Sequence, residues 1–89
     1  MIIDTTVVNM HKTTCDVRVD RASIFGNPFT DGPRESKIDR YRAYFQKRVE
    51  DDPLFRAAVL QLRGRRLGCW CSPKRCHGEI IVAWLEANP

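Results

Sequence analysis

The chain opens on two short β-type segments, loses periodicity, and then runs in helical repeats broken by one apolar strand-like stretch. Residues 3–9, Ile-Asp-Thr-Thr-Val-Val-Asn, are rich in β-branched side chains that suit a pleated surface and predict a first strand. Residues 15–19, Cys-Asp-Val-Arg-Val, alternate and predict a second. From Asp20 to Glu35 no period holds. Gly26-Asn27-Pro28 and Asp31-Gly32-Pro33 mark turns there, because glycine permits positive φ and proline fixes φ. An irregular stretch this long in so small a chain points to a functional loop. Ser36 is expected to cap a helix whose apolar face is Ile38, Tyr41, Phe45 and Val49, with Lys37, Arg40, Lys47 and Arg48 opposite. Asp52 as cap and Pro53 as first helical residue predict a second helix. It would bury Leu54, Phe55, Ala58, Val59 and Leu62 and end at Gly64. Residues 66–71 predict a third strand. A last helix, from about Cys76 or His77 to Ala87, presents Ile80, Ile81, Trp84 and Leu85.

This order predicts one α/β domain over residues 1–89: a small, at least partly parallel three-stranded sheet packed with about three helices. Strand 66–71 is expected at its centre, with the last helix on it through Ile81, Trp84 and Leu85. A length of 89 residues rules out two domains and the large dinucleotide-binding folds. No run approaches the ~18 apolar residues of a membrane span, and the start lacks the pattern of a signal peptide. A cytoplasmic protein without membrane contacts is expected.

Charge is uneven. Residues 1–32 hold three basic and four acidic side chains, and residues 33–89 hold twelve and seven. That excess can steer a phosphorylated small molecule, a nucleotide or a nucleic acid, and it is also ordinary for a soluble surface. Four cysteines in a chain without a secretion signal read as reduced thiols. Cys15 stands alone and reads as a small buried hydrophobe.

The densest chemistry is Cys69-Trp-Cys71-Ser-Pro-Lys74-Arg75-Cys76-His77-Gly78. It predicts a strand end, a basic loop and a helix start. The unpaired N–H groups of that start suit a phosphate or carboxylate, and Lys74 and Arg75 add charge. The same features lower the pKa of a nearby thiol, so Cys71 and Cys76 are candidate nucleophiles and His77 a candidate acid or base. Cys69, Cys71, Cys76 and His77 also form a Cys₃His set for zinc, with spacing that departs from the usual C-x₂₋₄-C. In that reading Arg40, Lys47 and Arg48 would contact nucleic acid or a host protein. A second cluster is Asp20-Arg21-Ala-Ser23-Ile-Phe25-Gly26-Asn27-Pro-Phe29. Arg21 can clamp an anion, Ser23 and Asn27 offer short hydrogen-bonding groups, and the two phenylalanines form a pocket wall or core plugs. Arg21 and Asn27 are expected in one cleft with Cys71 and His77.

Val8-Asn9, Arg21-Ala-Ser23, Gly26-Asn27-Pro28-Phe29 and Leu67-Gly68-Cys69-Trp70-Cys71-x-Pro73-x-x-Cys76-His77-Gly78 resemble a family of phage and bacterial domains of unknown function, catalogued as family 4326. The resemblance covers nearly the whole chain and implies a phage or prophage origin, with no activity attached. Glu79 stands where the family more often has aspartate, keeping a negative charge at a helix start. Asp16-Val-Arg18, Cys71 and Cys76-His77 are more faintly similar to another such family, catalogued as 488. That likeness includes no counterpart of Cys69 and implies a pocket built on Cys71, Cys76 and His77.

Overall fold

The computed structural model describes residues 4–20, 23–70 and 77–88. Its elements are β1 (Thr6–Asn9), β2 (Val17–Arg18), α1 (Arg34–Asp51), α2 (Pro53–Leu60), β3 (Arg66–Cys69) and α3 (His77–Ala87). The fold is small α/β. The three strands form one sheet in the order β1-β3-β2, and both pairings are parallel. The last strand to be added in sequence is therefore the central one, as expected.

Register assigns the faces. Val7 and Val17 stand beside Leu67, and Val8 and Arg18 beside Gly68. Side chains alternate along a strand, so Val7, Val17, Leu67 and Cys69 share the face that packs on the helices. Leu67 and Cys69 are buried there with Tyr41, Phe45 and Val49 of α1, Phe55 and Val59 of α2, and Ile81, Trp84 and Leu85 of α3. Phe45 meets Phe55 and Trp84 nearly edge-on, with centroids 5.8 and 6.2 Å apart, and Tyr41 at a tilt. Edge-to-face contact of this kind matches a ring's positive edge to its neighbour's negative face.

The opposite face is covered by the segment from Met10 to Asp16, which carries the chain from β1 across β3 to β2. It passes directly over Gly68. A Cβ added to Gly68 would stand 2.7 Å from Cys15 Cβ and 2.9 Å from Met10 Cγ, and closer still to Cys15 Sγ. Glycine is thus required by the close approach of this crossing segment. Cys15 is half-buried, less enclosed than its sequence context suggests.

Asp16 fastens the end of the crossing to β3. Its Oδ2 accepts from the Arg66 backbone N–H at 2.8 Å, and its Oδ1 pairs with the guanidinium at 3.2 Å. These hydrogen bonds hold the Asp16 carboxyl below its ordinary 3.8. A folded-state pKa below the unfolded one contributes stability that is complete above about pH 4 and is lost as pH falls through the folded value. Asp16→Asn is accordingly expected to flatten the fall of stability between pH 4 and pH 2.5. Urea midpoints measured across that range check this, and parallel curves for the two proteins would refute it.

Several boundaries differ from the sequence expectation. β1 begins at Thr6 and β2 keeps only Val17 and Arg18, flanked by the ladder bonds Asp16 N–H to Arg66 O and Val19 N–H to Gly68 O. Among the described residues β2 pairs with β3 alone. α1 starts two residues before Ser36, at Arg34, behind Pro33 with φ −64° and no side-chain cap. Proline presets the helical φ there. Asp52 does cap α2, accepting from Phe55 N–H at 3.1 Å. Leu54 is 83% exposed rather than buried, since Phe55, Val59 and Leu62 form the apolar stripe and Leu54 lies about 100° away from it. α2 ends at Leu60 with Gln61 as its cap, not at Gly64, and the turn that follows it closes at Gly64 with φ +77°.

Candidate ligand site at the carboxyl edge of the sheet

Because all three strands run the same way, the segments that leave their carboxyl ends emerge along one edge. After β1 comes Met10-His11, after β2 Val19-Asp20, and after β3 Trp70. α3 begins beside them. Gly78 lies on the sheet itself, where a Cβ would come 3.2 and 3.3 Å from the Val7 methyls. The missing side chain lets the first turn of α3 sit low over the strands.

His77, at the first position of α3, is buried, and its Nε2 is hydrogen-bonded to the Val19 carbonyl. A carbonyl only accepts, so Nε2 carries the proton in this bond. The imidazole meets the Tyr41 ring nearly edge-on, with centroids 5.1 Å apart. Tyr41 is fully buried, and its hydroxyl donates to the Phe25 carbonyl at 2.7 Å. One side chain of α1 therefore joins His77 to the loop after β2. The sequence offers Tyr41 only as one of four apolar positions on a helix face. Its hydroxyl, the part that links the two clusters, leaves no periodic trace.

The loop after β2 is organised by its own polar side chains. Ser23 Oγ donates to the Asp20 carbonyl at 2.8 Å and accepts from Phe25 N–H at 3.2 Å. Asn27, buried, donates from Nδ2 to the Lys37 carbonyl of α1 and accepts at Oδ1 from Phe29 N–H. Phe25 belongs to the core, and Phe29 lies under the Arg40 guanidinium, 5.0 Å from its ring centroid. Ser23 and Asn27 thus act on the loop's backbone. Of the other residues singled out, Arg21, Cys71, Lys74, Arg75 and Cys76 lie outside the described residues. Cys69 is buried on the helix side of β3, at 1% exposure. Among the described residues no group of three or more His, Cys, Asp or Glu side chains is placed to hold a metal.

Residues quoted within the motifs but given no role by the sequence, Arg18, Asp20 and Trp70, stand with His11 on the other flank of this edge. Trp70 Nε1 donates to Asp20 Oδ2 at 3.0 Å, and Arg18 reaches the same oxygen at 2.5 Å. The Asp20 carboxylate, itself buried, raises the pKa of Arg18 in turn. The His11 ring lies against Trp70, with centroids 4.6 Å apart. The alternation Leu67, Gly68, Cys69, Trp70 already assigns Trp70 to the side away from the helices, and that is the signal that could have marked it.

Two other features bear on ligand chemistry. An open groove of about 650 Å³ runs between α1 and α3, over Phe45 and Trp84, with Arg42, Arg56, Glu50 and Glu79 on its rim. Among the described residues, none of the candidate ligand or catalytic residues named from the sequence lines it. The cations Arg40, Lys47 and Arg48 are paired with Asp31, Asp51 and Asp52 respectively. No helix among the described residues is long and apolar enough to cross a membrane.

No solved structure matches this chain. An uncharacterised 12.4 kDa protein in the nrdA-td intergenic region of Enterobacteria phage T4 is 40% identical over 78 residues, which span 85% of this chain and 72% of that protein. Residues 5–87 match the family described as Domain of unknown function (DUF4326), and this small phage-type protein belongs to that family.

Proposed function

We propose that the protein is a small enzyme or ligand-binding domain that holds a phosphate-bearing ligand, a nucleotide or a nucleic-acid end at the carboxyl edge of its sheet. The observation that supports this is the gathering of the segments after β1, β2 and β3 at one edge, with the buried first turn of α3 among them. Ligands of open parallel sheets sit outside the carboxyl ends of the strands. Arg21, Lys74, Arg75 and the N–H groups of the α3 start hold the anion. Ser23 and Asn27 shape the loop that carries Arg21. Cys71 or Cys76 is the reactive thiol, and His77, whose ring is held by the Val19 carbonyl, handles protons.

Thiol alkylation measured against pH, with and without a chelator and with inorganic phosphate, tests the reading. The expected result is rapid alkylation below the ~8.5 pKa of a free thiol, insensitive to chelator and slowed by phosphate. Replacing Lys74 and Arg75 together should slow it at neutral pH. Alkylation that starts only after chelation would instead place Cys69, Cys71, Cys76 and His77 on zinc. Slow alkylation under every condition would overturn both.

A further inference from the structure

Trp70 is 47% exposed, yet it is not loose. Its indole N–H is tied to Asp20, Asp20 is tied to Arg18, and His11 leans on the ring. Three sequence-distant segments, one after each strand, thus converge to fix the orientation of one large exposed aromatic. Holding an exposed indole in place contributes little to the core, because the ring lies on the face away from the helices. A fixed exposed ring does suit a planar partner, since no side-chain freedom is lost when that partner stacks.

We propose that Trp70 is the stacking platform for a nucleobase, with Arg18 beside it drawing the attached phosphate. This deepens the anion-site reading and rests on it for the phosphate. Charge favours a nucleotide, whose base carries a phosphate, over an uncharged planar or sugar ring. The Arg18 side chain stays 56% exposed although Asp20 holds one of its nitrogens, Lys12 is exposed next to His11, and the chain carries a net +4. An anionic ligand gains from these cations and a neutral one does not. A base also has a π-face for the indole, and such stacking is tolerant of sequence.

Isothermal titration of the full chain with ribose 5-phosphate, adenosine, adenosine monophosphate and a single-stranded dA₁₂ tests the proposal, with tryptophan fluorescence as a second readout. Adenosine monophosphate is expected to bind at least about tenfold more tightly than ribose 5-phosphate and to quench Trp70. Trp70→Ala should reduce it to the level of ribose 5-phosphate without changing ribose 5-phosphate itself, which shows the fold intact. Trp70→Phe should retain most of the gain. Much tighter binding of dA₁₂ identifies a single strand as the source of the base, and equal binding identifies a free nucleotide. If ribose 5-phosphate binds as well as adenosine monophosphate, the platform is refuted and the anion site stands. Quenching by adenosine with no binding of ribose 5-phosphate keeps the platform and removes the anion site. If none of the four binds, both are overturned.

Discussion

Replacing Trp84 with alanine is expected to cost about 3–5 kcal/mol, the usual range for truncating a buried aromatic. Trp84 is 8% exposed, meets Phe45 edge-on, and lies under the Arg56 guanidinium at 5.0 Å. The value should fall at the lower end. The groove between α1 and α3 opens beside Trp84, so water can enter the void and remove part of the cavity penalty. Even 3 kcal/mol is large here, because a domain of this size is stabilised by only roughly 4–13 kcal/mol in total. Trp84→Phe should recover much of the loss, and Leu54→Ala, on the exposed side of α2, should stay within about 0.5 kcal/mol of the parent. Urea denaturation of the three variants decides the matter. Equal midpoints for Trp84→Ala and the parent would contradict the packing of α3 described above.

Gly68→Ala is expected to destabilise by about 1–3 kcal/mol despite the better strand propensity of alanine, which alone would favour the variant by roughly 0.5–1 kcal/mol. The collision decides the sign. Met10 Cγ can swing away, but Cys15 Cβ is fixed to the backbone of the crossing segment, which Asp16 pins to Arg66. The segment must lift or β3 must shift. Cys15→Gly in the same chain should restore most of the loss, whereas Cys15→Ala should restore less, because its Cβ remains. Such coupling is the signature of direct contact in a double-mutant cycle. A neutral Gly68→Ala would show that the crossing does not lie this close to β3.

The helices were legible in the sequence because one stripe of each is buried. Ile38, Tyr41, Phe45 and Val49 recur at helical spacing and are all buried. Leu54 misled because an eight-residue helix offers too few turns to separate its stripe from its neighbours. The strands were legible as apolar stretches but not in length, since strand ends are set by partners far away in sequence, as β2 is by Leu67 and Gly68. At the site, residue type pointed to Ser23 and Asn27 as polar groups. Whether such a group faces a ligand or its own backbone depends on loop geometry, which no local pattern encodes. Trp70 and Asp20, though inside quoted motifs, were given no role for the same reason, because their partnership spans 50 residues.

The strand order carries a consequence for how the chain folds. Among the described residues β1 and β2 pair only with β3, and contacts at the start of the sheet join residues 50 and 59 positions apart, as Asp16 with Arg66 and Thr5 with Gly64 do. While the chain is being synthesised, neither early strand has a partner until the central one has left the ribosome. α1 and α2 can form first, but no part of the sheet can zip progressively from the N-terminus. The sheet is therefore completed after most of the chain exists, in a step governed by closure of long loops. Folding should be slower than that of a helical bundle of equal size.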